Sequence, residues 1–230
     1  VIIDRMTHGT IGAGMILSRE ASDAKDYWTA ESVSRQLQGQ TSNVTHQQRA
    51  ARFSQQPATV LITGLTGTGK TTIAYALERR LFDQDRAVCV LDGENMRLGI
   101  SKDLGFSADG RSENLRRSFE VAKLMNDAGL ICICSFLAPS KKIRQRAREE
   151  IGPHRFFEVY LSAPIEVCRR RDTKGIYSLA DSGEIEDFPG VSSPYEEPKL
   201  PDLMLQTDRL SVEECIDRIV MLLKERSMIS

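Results

Sequence analysis

Residues 64–71 read Gly64-Leu65-Thr66-Gly67-Thr68-Gly69-Lys70-Thr71, and Thr72 follows. This spacing, G-x-x-x-x-G-K-[ST], sits between an apolar run at 60–63 and a stretch with helical spacing at Ile73, Leu77 and Leu81. A strand, a glycine-rich turn and a helix start, in that order, make a phosphate-binding loop. The glycines let backbone N–H groups wrap phosphate oxygens, and the helix N-terminus favours their charge. Gly64 to Thr72 are therefore the expected nucleotide-binding segment. Lys70 is expected to reach the β- and γ-phosphates and to be catalytic, and the Thr71 hydroxyl to ligate Mg²⁺ bound with the nucleotide.

Outward from the loop the pattern stays regular. Apolar runs at 87–91, 130–136 and 156–161 read as strands, and 203–205 as a fifth. Residues 70–82, 112–128, 141–150 and 211–226 read as helices, the last capped by Ser211 with Glu214. Pro164 opens one more helix, at a position proline tolerates. Strands alternating with helices predict an α/β protein with the P-loop NTPase fold: a mostly parallel five-stranded sheet with helices on both faces. Residues 173–201 hold four of the eight prolines and no clear period, which suggests a functional loop.

Composition narrows the function. Among 230 residues, 40% are hydrophobic and 27% charged, the balance of a globular protein rather than a disordered one. No apolar stretch approaches the roughly 20 residues of a membrane span. With 31 basic and 32 acidic residues there is no basic excess for a nucleic acid. Cys89, Cys132, Cys134, Cys168 and Cys215 form no C-x-x-C pair, so zinc is not expected and reduced thiols in the cytoplasm are. Cys132 and Cys134, two apart on a strand, should share a face.

The run at 87–91 ends in Asp92, at the tip of a strand beside the loop. There a carboxylate can hold Mg²⁺ or accept a proton from an attacking hydroxyl, so Asp92 is expected to be both catalytic and metal-binding. No N-K-x-D element for guanine follows. The blocks Asp92-Gly-Glu-Asn-Met-Arg97, Asp103-Leu-Gly-Phe106 and Arg111-Ser-Glu-Asn114-Leu-Arg116-Arg117 resemble adenylylsulfate kinases. So do Lys174-Gly-Ile-Tyr177, Gly183-Glu-Ile185, Phe188 and Ser193-Pro-Tyr-Glu196. The resemblance runs from residue 42 to the C-terminus. It implies ATP-dependent phosphorylation of the 3′-hydroxyl of adenosine 5′-phosphosulfate, giving 3′-phosphoadenosine 5′-phosphosulfate for sulfate assimilation. It also implies a lid at 173–198 and a homodimer.

The resemblance places Asp92, Glu94, Asn95, Arg97, Phe106, Arg111, Asn114, Leu137, Ala138, Lys174 and Phe188 at the acceptor. Arg97, Arg111 and Lys174 suit its anionic groups. Phe106 and Phe188 are expected to sandwich the adenine, at about 1–3 kcal/mol per face. Asn114 is expected to hydrogen-bond the base or ribose. Three positions depart from the family: Glu94 where aspartate is usual, Ala138 where some members carry a phosphorylated serine, and Ser178-Leu179 where basic residues are common. With no hydroxyl at Ala138 the expectation is direct in-line transfer. Two alternatives keep the fold, a small-molecule kinase with another acceptor and a non-catalytic module that binds nucleotide and regulates a sulfurylase.

Within residues 1–17, Ile3-Asp-Arg-Met-Thr7 and Thr10-Ile-Gly-Ala-Gly-Met15 resemble the last strand of the GTP-binding large subunit of sulfate adenylyltransferase, and a linker at 18–41 with a helical turn around 28–37 is expected to follow. Since the chain starts at Val1, it is expected to be the kinase part, 42–230, of a fusion. Association with the sulfate adenylyltransferase small subunit is expected through the preceding part.

Overall fold

The computed structural model describes residues 2, 3, 10–12, 28, 29, 32, 34 and 36–230. Two compact units divide at Glu31/Ser32. In the first, β1 (Ile2–Ile3) pairs antiparallel with β2 (Thr10–Gly12), and the rest of the 1–17 expectation lies outside the described residues. Of the stretch 28–37, residues 28, 29 and 36 are turn and none of the described residues is helical.

The second unit begins with α1 (His46–Phe53), a helix without an apolar period because it is polar and buries no side chain. Its signal was a capping box: the Thr45 hydroxyl accepts from the Gln48 N–H while the Gln48 side chain accepts from the Thr45 N–H. Gln55, buried behind it, donates to the carbonyls of Ala87 and Gly129.

The sheet comprises β3 (Ala58–Thr63), β4 (Val88–Asp92), β5 (Ile131–Ser135), β6 (Phe156–Ser162) and β7 (Leu203–Gln206) in the order β4-β5-β3-β6-β7. All four pairings are parallel, as the alternating pattern predicts. Every residue of the central β3 is buried, because it has a strand on each side and helices on each face. Here α2 (Lys70–Phe82) packs with α8 (Val212–Glu225), and α4 (Ala108–Asp127) packs with α5 (Lys141–Ile151). The two pairs cover opposite faces. The capping box predicted for α8 is present. The Cys132 and Cys134 sulfurs lie 3.9 Å apart, on one face of β5 as their spacing predicts.

Two short helices, α3 (Gly93–Leu98) and α7 (Ile176–Asp181), together with α6 (Ile165–Arg170), sit beyond the carboxyl ends of the strands. Ligands of open parallel sheets bind at those ends. The α4 helix starts a turn earlier than predicted, capped by Ser107, whose side chain accepts from the Gly110 N–H at 3.1 Å. No described helix is long and apolar enough to cross a membrane.

Candidate active site

The loop 64–69 leaves β3 and enters α2 through three positive-φ glycines. Two of them are required sterically. A Cβ on Gly64 would lie 2.5 Å from the Leu161 carbonyl oxygen, and one on Gly67 would lie 2.6 Å from the Cys168 carbonyl oxygen. The loop therefore nests against β6 and α6 at backbone distance. Lys70 Nζ turns inward and donates to the Gly64 and Leu65 carbonyls at 2.9 and 2.8 Å. Burial pulls its pKa down to about 8, while Cys168, Asp92 and Glu94 favour the charged form.

At the end of β4, Asp92 is 6% exposed and accepts hydrogen bonds from both sides. Its Oδ1 caps α3 through the Glu94 N–H at 2.9 Å, and its Oδ2 accepts from Thr71 Oγ1 at 2.9 Å. One carboxylate thus joins the first turn of α2 to the first turn of α3. Thr71 and Asp92 together present oxygen donors to the mouth of the phosphate loop. That set suits Mg²⁺, which keeps waters and substrate phosphates and takes only one or two protein ligands. Among the described residues no cluster of three or more His, Cys, Asp or Glu offers a closed metal cage.

The acceptor-side residues gather on α3, α4 and the 173–198 loop. Arg97 donates to the Leu104 and Gly105 carbonyls, and its guanidinium lies 4.5 Å over the Phe106 ring. Burial, then the like charge of Arg111, lower the Arg97 pKa, and burial lowers that of Arg111 as well. The two cations are thus close enough to repel, a repulsion that an anion between them relieves. Arg111 also donates to the Asp187 carbonyl, next to Phe188. Arg117 holds the connecting turn through the Ile100 carbonyl and Asp103, and Arg116 pairs with Glu113 along α4.

The two rings expected to sandwich a base are placed differently. Phe106 is 65% exposed, whereas Phe188 is 7% exposed and meets the Tyr177 ring edge-on at 5.2 Å. Lys174 Nζ contacts both Glu94 carboxylate oxygens, at 3.0 and 2.9 Å, so the longer acid at position 94 reaches the lid directly. The Asn95 side chain donates to Tyr75 Oη at 2.8 Å. Asn114 is buried in α4, and its side-chain oxygen has no hydrogen-bond donor in reach. Leu137 and Ala138 follow β5, beside Asp92, which is in register with Ser135. Ala138 adopts φ 41°.

Several contacts here lay beyond the sequence reading. Tyr177 Oη donates to the Thr66 carbonyl inside the phosphate loop at 2.8 Å, and Asp172 caps the turn that carries Lys174. Leu65 packs against Gly190, so loop and lid touch a second time. Arg171 donates to the Thr207 carbonyl, closing the β7 side. Leu65, Thr66, Lys174 and Tyr177 belong to recognisable motifs, whereas Asp172, Gly190, Arg171 and Thr207 carry no such sequence signal.

Residues 56–206 match the family model for adenylylsulphate kinase. The chain is 51% identical over 230 residues to the bifunctional enzyme CysN/CysC of Rhodopirellula baltica, covering 100% of this chain and 36% of that protein. It is 43% identical over 190 residues to the adenylyl-sulfate kinase of Clostridium acetobutylicum, covering 83% of this chain and 94% of that one. Among solved structures, the Mycobacterium tuberculosis APS kinase CysC in complex with AMPPNP and APS superposes with a TM-score of 0.71 at 42% identity. It covers 74% of this chain and 99% of its own. The chain spans about a third of the length of the bifunctional relatives it matches.

Proposed function

The chain belongs to the adenylylsulphate kinase family, and on that premise we propose that it transfers the γ-phosphoryl group of ATP to the 3′-hydroxyl of adenosine 5′-phosphosulfate. The observation that carries this reading is the position of Asp92. It touches Thr71 of the phosphate loop on one side and caps α3, which bears Glu94, Asn95 and Arg97, on the other. A hydroxyl entering from the α3 side meets a carboxylate that can take its proton while the phosphate loop holds the donor.

The steps balance without a phosphoenzyme. The 3′-hydroxyl oxygen bonds to the γ-phosphorus as its proton passes to Asp92, the bond to the β–γ bridging oxygen breaks, and ADP leaves. Lys70 and the loop N–H groups stabilise the charge that builds on the phosphoryl oxygens. Thr71 and Asp92 would hold Mg²⁺ with ATP, and that ion supplies neutralisation of phosphate charge. Ala138 carries no hydroxyl, which supports direct transfer.

Arg97, Arg111 and Lys174 supply positive charge for the phosphosulfate, and the buried Asn114 oxygen suits an amino or hydroxyl donor of the adenosine. Phe106, exposed beside Arg97, offers a face for the base. The lid's contacts with Thr66, Leu65 and Glu94 support a role in excluding water from the transferring group. Similarity to a bifunctional enzyme over all 230 residues supports the reading of 1–17 as the end of a preceding sulfurylase half and of 42–230 as the kinase. Both nucleotides and the reduced thiols support a cytoplasmic setting. Incubation with Mg-ATP and adenosine 5′-phosphosulfate tests the assignment. The 3′-phosphorylated product should form, and yields no higher than those of Lys70→Ala would overturn it.

A further inference from the structure

Beyond β5 lies a buried polar cluster that neither the phosphate loop nor the acceptor cations use. Three successive carbonyls are each captured: Leu137 by Thr63 Oγ1 at 2.6 Å, Ala138 by Arg144 Nη1 at 2.8 Å, and Pro139 by the Glu196 N–H at 2.9 Å. Capture of the second matters because Ala138, at φ 41°, is in a region that costs a non-glycine residue about 1–2 kcal/mol and persists only when its surroundings hold it.

The same groups also grip the far end of the 173–198 loop. Tyr195 Oη lies 3.0 Å from Thr63 Oγ1. Arg144 Nη2 donates to the Glu196 carbonyl at 2.6 Å, and the Lys141 N–H donates to the Glu196 carboxylate at 2.6 Å. Arg144 itself is 3% exposed. Its Nε lies 2.6 Å from Glu158 Oε1, an ion-pair contact rather than an aligned hydrogen bond. The Tyr195 ring stacks on Tyr160 and lies 5.9 Å from the Arg144 guanidinium. A planar guanidinium can serve two carbonyls and a carboxylate at once, whereas an ammonium on a flexible stem cannot hold that geometry.

We propose that Arg144, supported by Tyr195, is a positioning residue for the acceptor: it locks the Leu137-Ala138-Pro139 turn to residues 195–196 and so fixes the wall beside Asp92. Thr63 directly precedes Gly64, so the clasp is continuous with the strand that launches the phosphate loop. The wall is close to the reacting groups, since a Cβ on Gly93 would lie 3.1 Å from the Phe136 ring. Arg144 touches neither the phosphate loop nor Asp92, and its effect falls on the acceptor. The inference rests on the phosphoryl-transfer reading above.

The test uses Arg144→Lys, which keeps a charge near Glu158 but loses the fork, and Tyr195→Phe, which removes one hydroxyl. Arg144→Lys should raise KM for adenosine 5′-phosphosulfate about tenfold while KM for ATP stays within about twofold, and Tyr195→Phe should shift it about threefold in the same direction. Hydrogen exchange reads the clasp without turnover: amides at 136–141 and 193–197 should exchange faster in either variant, and those of 64–72 should not. Both KM values unchanged, or rising together, overturns the proposal. If Arg144→Lys does not fold, Tyr195→Phe decides by the same two readouts. If the wild-type chain transfers nothing to the acceptor, the functional reading fails on its own. The exchange data then still judge the clasp, and unchanged exchange at 136–141 rejects it.

Discussion

The phosphate loop and the lid are both loops beyond the same sheet, yet they are held by different physics. The loop 64–69 is fixed by what cannot be there: a side chain at Gly64 or Gly67 would collide with backbone oxygen of Leu161 or Cys168. The near end of the lid combines a small buried cluster, Tyr177, Ala180 and Phe188 against Cys168, with charges in water. Lys174 and Glu94 are 62% and 72% exposed, and Arg169 pairs with Asp181 on the same surface. Its far end, at Tyr195 and Glu196, is again held by buried groups. The ion pairs add little, since exposed pairs contribute at most about 1 kcal/mol each, so the Tyr177–Phe188 cluster and its hydrogen bond to Thr66 are what a lid opening must break. An enzyme that must admit two nucleotides and then exclude water needs that difference.

The largest effect should come where donor and acceptor sides meet. Asp92→Asn should lower kcat by about 10²–10⁴-fold with ATP affinity little changed, read by steady-state kinetics beside direct nucleotide binding. Unchanged turnover would remove Asp92 from the chemistry. Next, Gly67→Ala should cost about 2–4 kcal/mol of stability, because a positive φ and a backbone collision combine. Thermal unfolding would show it as a fall in Tm, together with weaker ATP binding. A variant as stable as the parent would mean that the loop is not the rigid partner.

A pH series separates the two regions more gently. With the Lys70 amine near pH 8 in the free protein, its neutral form grows above that pH. Phosphate oxyanions favour the ammonium, so nucleotide binding takes up a proton there. ATP affinity should be level below about pH 8 and then fall by up to about tenfold per pH unit. An affinity that stays level to pH 9.5 would contradict the buried amine. The smallest effect is expected at the lid. Glu94→Gln releases Lys174 and should lower KM for the acceptor by about two- to fivefold at low salt, and less at high salt. A larger, salt-independent change would make that ion pair more than a surface latch.

These differences also decide what could be read from sequence. The phosphate loop was legible because its requirements are local: glycines, a lysine and a threonine at fixed spacing between a strand and a helix. The five strands were legible because each is a dense apolar run, and the parallel order followed from alternation with helices. Helix α1 was not, because it buries nothing and its evidence was one capping box. The pairing of Lys174 with Glu94 joins residues 80 apart, and Arg144 gathers positions 138, 158 and 196. An arginine on a basic helix looks solvated until the fold buries it. Phe188 shows the same limit: the resemblance implies a place beside Phe106 at the base, and its contact with the Tyr177 ring follows from packing that no motif records.

The most direct measurement is a stoichiometric one. ADP and nucleotide phosphorylated at the 3′-hydroxyl should be counted in one reaction containing the chain, Mg-ATP and a panel of adenine nucleotides. The account predicts equal amounts of both products with adenosine 5′-phosphosulfate, little transfer to acceptors lacking the sulfate, and neither product with Lys70→Ala. ADP released without a phosphorylated product, or faster transfer to another acceptor, would contradict it.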